Sequence, residues 1–195
     1  MASVAPMGPV GELSSTLDSF RARLDQLETG QWDLPTPCTG WDVAELVRHV
    51  IAGNVMVTAI ARGADHAAVV SMLDDYVLTG DARDEFDQSS ALMLAAFGEP
   101  GALGRTVAHA VGEIPGVQLA RFRTGDVLVH TWDLARAAGM DEQLDPGIVR
   151  SIWADVEPMA PTLGVVGSFG AGPSGALGPD APVQELLLDA FGRRP

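Results

Sequence analysis

The sequence is short of cysteine, of basic residues and of any long unbroken apolar run. Its single cysteine, Cys38, excludes an internal disulfide framework and any multi-cysteine metal site, so metal chemistry must draw on histidine and carboxylate. Twelve Lys+Arg stand against 26 Asp+Glu, a formal charge of −14 with a pI near 4.4. That balance argues against nucleic acid as a partner, because phosphate affinity rests on clustered cations. The longest apolar stretch, 50–61, is interrupted by Gly53, Asn54 and Thr58 and is too short to span a bilayer. Residues 1–10 hold two prolines and no basic start, unlike a signal peptide. The expectation is a cytoplasmic protein with neither membrane nor nucleic-acid partner.

With 195 residues, 47% of them hydrophobic and 19% charged, the chain has ample material for one core and reads as one domain over 1–195. Residues 1–10 read as flexible. Leu13, Leu17, Phe20, Leu24 and Leu27 recur at spacings of three and four, an amphipathic helix that stops by Gly30. Two prolines and Gly40 force the stretch Trp32–Trp41 into a structured loop. Thr39 and Asp42, three apart, resemble a capping box for a second helix over 43–61. That helix is apolar on nearly every side, so it is expected to be the most buried. A third helix is predicted over 83–97 with Phe86, Leu92, Leu94 and Phe97 as apolar positions, then a short strand or extended stretch over 106–111. A fourth helix runs 117–138 with Gly139 just past its end, and Pro146 opens a short fifth. From 164 to 182 the chain is glycine- and proline-rich, a long wrap, after which Asp180 is expected to cap a last helix through Phe191. The fold class implied is mainly all-α: four principal helices in a bundle, short extra helices, and an irregular Gly/Pro-rich segment over 164–195 laid across it.

On the fourth helix, Leu119, Phe122, Asp126, Val129, His130, Asp133 and Ala137 share one stripe that should face the core. A carboxylate and an imidazole at i and i+4 project from the same face one turn apart and converge on one point. Burying them unpartnered would cost several kcal/mol, a cost that a metal ion removes. In the metal-free chain, replacing Asp126 by Ala is therefore expected to relieve a buried charge. The second helix offers His49, beside the arc holding Gly53 and Met56. Two ligands from one helix and one from a facing helix leave coordination positions open, as in a catalytic zinc site. A helix-surface salt bridge or a hydrogen-bonded core histidine would give the same spacing.

Two stretches carry a family resemblance: Pro35-Thr-Pro-Cys-Thr-Gly-Trp-Asp-Val-Ala-Glu-Leu-Val-Arg-His49 and Gly125-Asp-Val-Leu-Val-His-Thr-Trp-Asp-Leu-Ala-Arg-Ala-Ala-Gly139. Both are similar to signatures of the actinobacterial DinB-like metal-binding proteins related to mycothiol-dependent maleylpyruvate isomerase. The closing stretch 181–195 is similar to that group's usual C-terminus. The resemblance implies a DinB-like four-helix bundle holding a divalent metal through His49, Asp126 and His130. The isomerases carry Glu where this chain has the shorter Asp126. They also have a further C-terminal domain beyond the point where this chain stops, so maleylpyruvate itself is not the expected substrate.

The remaining polar residues divide by chemistry. Asp133, one turn past His130, either accepts the N–H of a ligand histidine or pairs with Arg136. Glu45, four before His49, reads as a first-turn helix residue rather than a ligand. Cys38 shows no basic neighbour in sequence and reads as a small structural hydrophobe. Trp41 and Trp132 read as core anchors, His66 as a bystander, and His109 as an outside candidate for site lining. Arg121 and Arg123 are candidates to bind a carboxylate-bearing substrate or thiol, against a surface position.

The resemblance implies that the metal activates a small thiol, such as mycothiol, that serves as co-substrate; a coordinated thiol deprotonates near neutral pH without needing a protein cysteine. The expected activity is a metal-dependent thiol S-transferase or thiol-assisted isomerase acting on a small electrophile. Neutral imidazole with carboxylate suits Zn²⁺ first, then Ni²⁺, Fe²⁺ or Mn²⁺. The alternatives are a non-catalytic metal-binding or interaction protein, and a metal-dependent hydrolase with Asp133 or Glu45 as base. The chain is expected as a monomer or a homodimer.

Overall fold

The computed structural model describes residues 7–69, 71–166 and 172–195, with 66, 67 and 164–166 described by backbone alone. It is mostly helical: α1 (Pro9–Gln26), α2 (Val43–Ala61), the short α3 (His66–Val69) and α4 (Met72–Asp75), then α5 (Ala82–Gly98). A hairpin of β1 (Thr106–His109) and β2 (Gly112–Pro115) leads into α6 (Gly116–Ala138), followed by α7 (Pro146–Val156), α8 (Ala160–Val166) and α9 (Val183–Ala190). α1 packs against α6 and α5, and α2 against the same two, so these four close a ring with α1 and α2 on opposite corners.

The α2 bounds match the sequence reading, but its cap differs. Asp42, not Thr39, is the N-cap: its side chain accepts from the Glu45 N–H at 2.8 Å, and Glu45 answers by accepting from the Asp42 N–H at 2.9 Å. α1 starts at Pro9, inside the stretch that reads as flexible, because proline at N1 surrenders no hydrogen bond. Leu92 of α5 points to solvent, 48% exposed, and Met93 takes the core position instead. The stretch after 106 is a two-stranded hairpin, Thr106 opposite Pro115, rather than the single strand or extended stretch that its sequence suggests. Asp145, not Asp180, is the acid that caps a late helix, accepting from Gly147 and Ile148 N–H; α9 starts after Pro182 with no side-chain cap. α8 extends the helical part through 166, into the glycine- and proline-rich stretch, and residues 167–171 of that stretch lie outside the described residues.

Burial is shared more evenly than the apolar character of α2 suggests. Twelve of its 19 residues are buried, and 15 of 23 in α6. The reason is that α6 has a core on each side. Leu119, Ala120, Val127 and Leu134 join the bundle core, while Leu128, Val129 and Trp132 pack against α7, α8 and α9 in a second cluster. The stripe from Leu119 to Ala137 is thus divided, with Val129 facing the second cluster. Over its full 19 residues α2 is long and apolar enough to cross a membrane, and 61% of the qualifying window is buried within the bundle, which accounts for its apolarity. Gly139 ends α6 at φ 69°, the left-handed turn that glycine adopts without Cβ strain.

Candidate metal centre

Where α2 faces α6, one ring nitrogen of His49, one carboxylate oxygen of Asp126 and one ring nitrogen of His130 lie within 4.8 Å of one another. Asp126 Oδ1 is 3.5 Å from His130 Nε2. Ligand atoms placed tetrahedrally at zinc distances are roughly 3.4 Å apart, so this pair already has ligand spacing. The His49 and His130 rings meet edge-on with centroids 5.1 Å apart, and Trp41 covers them at 4.6 and 6.0 Å.

The loop that delivers Trp41 folds back on itself. Pro35 bridges to Asp42, Thr36 N–H donates to the Trp41 carbonyl at 3.0 Å, and Gly40 takes φ 81°. This brings Cys38 to the same place. Its Sγ lies 3.2 Å from Asp133 Oδ2, 3.8 Å from His130 Nδ1 and 3.2 Å from Arg193 Nη2. The reading of Cys38 as lacking a basic neighbour is therefore corrected: the neighbour comes from the opposite end of the chain.

His130 uses its two nitrogens differently. Nδ1 is 3.0 Å from Asp133 Oδ2, which makes that nitrogen an N–H donor and leaves Nε2, 3.5 Å from Asp126 Oδ1, as the nitrogen that can take either a proton or a cation. Asp133 is fully buried and does not pair with Arg136; Arg193 holds it instead through Nη2 at 2.6 Å and Nε at 3.0 Å. Arg136 spans Glu142 and the face of Trp132. Cys38, His130 and Asp133 form the second ligand-type group among the described residues, but the Arg193 guanidinium already fills the cation's place beside them.

The charges are tuned by these contacts. Burial pushes the Asp126 carboxyl up, but Arg123 and His130 outweigh it and hold the group well below the usual carboxylate range. Burial likewise raises Asp133, and His130 and Arg193 reverse it. Burial lowers His130, yet Asp126, Asp133 and Cys38 carry it well above an ordinary imidazole. His49 is pushed down to about 4, chiefly by burial with only partial relief from Asp126. In the metal-free protein, burial thus favours the neutral form of His49, and the surrounding carboxylates favour the protonated form of His130.

The other residues singled out in the sequence lie elsewhere or are otherwise engaged. Arg121 ties α6 to α1 and α7 through Glu12 and Asp155, away from the centre. Arg123 is buried rather than on the surface, and its guanidinium serves Asp126, Asn54 and the Val50 carbonyl, leaving it unfit to hold a substrate. Glu45 closes the α2 capping box. His109 lies against Phe122 at a tilt with centroids 5.2 Å apart, outside both ligand-type groups. Trp132 is a core anchor, while Trp41 is also a wall of the site. The side chain of His66 lies outside the described residues. Sequence reasoning misses Arg193 and Asn54. Arg193 is 60 residues from Asp133 and carries no local signal, whereas Asn54, which with Thr58 interrupts the apolar stretch 50–61, is a visible one.

Known proteins share both the sequence pattern and the fold. Residues 13–135 match the family model described as the mycothiol maleylpyruvate isomerase N-terminal domain. Two uncharacterized proteins of Mycobacterium tuberculosis, one from each of two strains, are each 31% identical over 176 residues, 90% of this chain and 89% of theirs. The crystal structures of a mycothiol-dependent maleylpyruvate isomerase and of its histidine-to-alanine mutant each superpose with a TM-score of 0.62 at 16% identity, covering 76% of this chain and 68% of theirs. Likeness at that identity concerns the fold.

Proposed function

This chain belongs to the mycothiol maleylpyruvate isomerase N-terminal domain family, and from that premise we propose that it binds one divalent ion through His49, Asp126 and His130 and uses a small thiol as co-substrate. The reaction is thiol S-transfer to, or thiol-assisted isomerisation of, a small electrophile. The observation that carries the reading is the pairing of His130 Nδ1 with the buried Asp133, which commits Nε2 to the point where Asp126 and His49 converge. That is the arrangement by which proteins orient a metal-ligating imidazole.

Zinc fits the donor set of two imidazoles and one carboxylate, with Ni²⁺, Fe²⁺ and Mn²⁺ as the alternatives. When bound, the ion supplies Lewis acidity that makes a coordinated thiol ionise near neutral pH. The chain's own residues do the rest. Asp133 fixes the tautomer of His130, Arg193 fixes Asp133, and Trp41 shields the two imidazoles on one side. Arg123 and Arg193 balance the charges of Asp126 and Asp133, so a divalent ion leaves the centre with surplus positive charge, suited to an anionic thiolate, in a protein that is acidic overall. A hydrolase is less well served: Glu45 is spent on a helix cap, and Asp133 is fully buried between His130 and Arg193.

The test is stoichiometric metal binding after removal by chelator and reloading, followed by consumption of mycothiol or a simpler thiol with a panel of electrophiles. One ion per chain, lost in His130→Ala together with thiol consumption, is the expected result. Full metal content in His130→Ala contradicts the assignment.

A further inference from the structure

The Asp126 carboxylate is gripped by a buried cation on the same helix. Arg123, one turn earlier on α6, is 4% exposed, and its Nη1 donates to Asp126 Oδ2. The guanidinium is itself held from two other directions. Nε and Nη2 donate to Asn54 Oδ1 at 3.1 and 2.7 Å, and Nη2 also donates to the Val50 carbonyl. The Asn54 amide is oriented in turn, because its Nδ2 donates to Ser89 and Ser90 of α5 at 3.2 and 3.1 Å. A chain of hydrogen bonds therefore runs from α5 through α2 to the carboxylate on α6.

Room for this grip comes from one residue. A Cβ at Gly53 would stand 2.5 Å from Arg123 Nη1, 2.9 Å from Cζ and 3.1 Å from Nη2. Glycine in the middle of a helix is unfavourable compared with alanine, so its presence here matches the space the guanidinium takes.

We propose that Arg123, seated in the gap left by Gly53, is a positioning residue that holds Asp126 as a one-oxygen ligand, Oδ2 kept on the guanidinium and Oδ1 offered to the cation. The inference rests on the metal reading above. It assigns Arg123 a role distinct from substrate binding, and it makes Gly53 part of the site although glycine has no side chain to offer.

The experiment measures Zn²⁺ and Co²⁺ affinity, by competition with a chromophoric chelator, for the full-length protein and for Gly53→Ala and Arg123→Lys. Both variants keep the positive charge and lose the grip. Gly53→Ala adds one methyl group against the end of the Arg123 side chain and improves helix propensity, which offsets part of the cost of moving the guanidinium, so it is the milder of the two changes if Arg123→Lys does not fold. Gly53→Ala is expected to weaken metal binding by about tenfold or more, the usual effect of losing a partner of a metal ligand. The visible absorption of bound Co²⁺ should change with it, since the carboxylate is free to bind through both oxygens. Circular dichroism of the metal-free variant should match wild type. Affinity within about threefold of wild type and an unchanged Co²⁺ spectrum in Gly53→Ala would overturn the positioning role while leaving the metal reading intact. Failure of the wild-type protein itself to bind either ion would overturn both.

Discussion

Replacing Asp126 by Ala should destabilise the metal-free protein. Sequence reasoning points the other way, because it sees an acid on a core-facing stripe whose removal relieves a buried charge. The structure reverses the sign. Asp126 keeps 21% of its side chain exposed, whereas its partner Arg123 keeps 3%. The group stranded by the substitution is thus the guanidinium, not the carboxylate. Arg123 retains Asn54 and the Val50 carbonyl but loses the carboxylate paired with it. Losing a hydrogen bond between charged groups costs about 1.5–3 kcal/mol, and breaking a fully buried pair about 3–5 kcal/mol. Water can enter where the exposed edge of Asp126 was, so a value of about 2–3 kcal/mol is expected. For a chain of this size that lowers Tm by about 5–10 °C. The assay is thermal and urea unfolding in excess chelator. The double variant Asp126→Ala/Arg123→Met, with no buried charge left behind, should recover part of the loss. A single variant as stable as wild type, or more so, would refute the reasoning.

Further outcomes follow from the same contacts. His49 has a depressed folded pKa of about 4, so the unfolded chain takes up its proton first: stability is complete above the ordinary imidazole value and is lost as pH falls. Between pH 7 and pH 5 the metal-free wild type should therefore lose about 2 kcal/mol relative to His49→Gln in urea unfolding, and a pH-independent difference would contradict this. Arg193→Gln leaves the fully buried Asp133 with only His130 and Cys38, and should cost about 3 kcal/mol; a change below about 0.5 kcal/mol would show that Arg193 does not secure the site. Trp41, lying on both imidazoles, should report metal binding by fluorescence, and a Zn²⁺-dependent change that survives undiminished in Trp41→Phe would place the ion elsewhere.

Much of the fold is legible in the sequence because its signals are local. The periodic leucines of α1, the predominantly apolar character of α2 and the glycine after α6 are read within one or two turns of helix. The i, i+4 pair Asp126 and His130 is legible for the same reason, His49 is offered as a third member by the second helix, and family resemblance implies all three. What escapes is set by tertiary contact. Cys38 looks isolated until the chain end returns with Arg193, 155 residues later. Arg123 looks like a surface or ligand-binding cation because nothing nearby in sequence shows that Gly53 and Asn54 on another helix make a seat for it. A cap is ambiguous wherever two acceptable residues lie close together, as with Thr39 and Asp42, since the turn geometry alone chooses between them.

The central claim, an ion held by two imidazoles and one carboxylate with a position left for a thiol, is tested most directly by zinc X-ray absorption spectroscopy on the reconstituted protein. Without added thiol, nitrogen and oxygen scatterers are expected at about 2.0–2.1 Å, with imidazole outer-shell features and no sulfur. On adding mycothiol or a simple thiol, one sulfur scatterer at about 2.3 Å should appear. A sulfur shell already present in the thiol-free protein would mean that Cys38 is a ligand, and would contradict the assignment of the site to His49, Asp126 and His130.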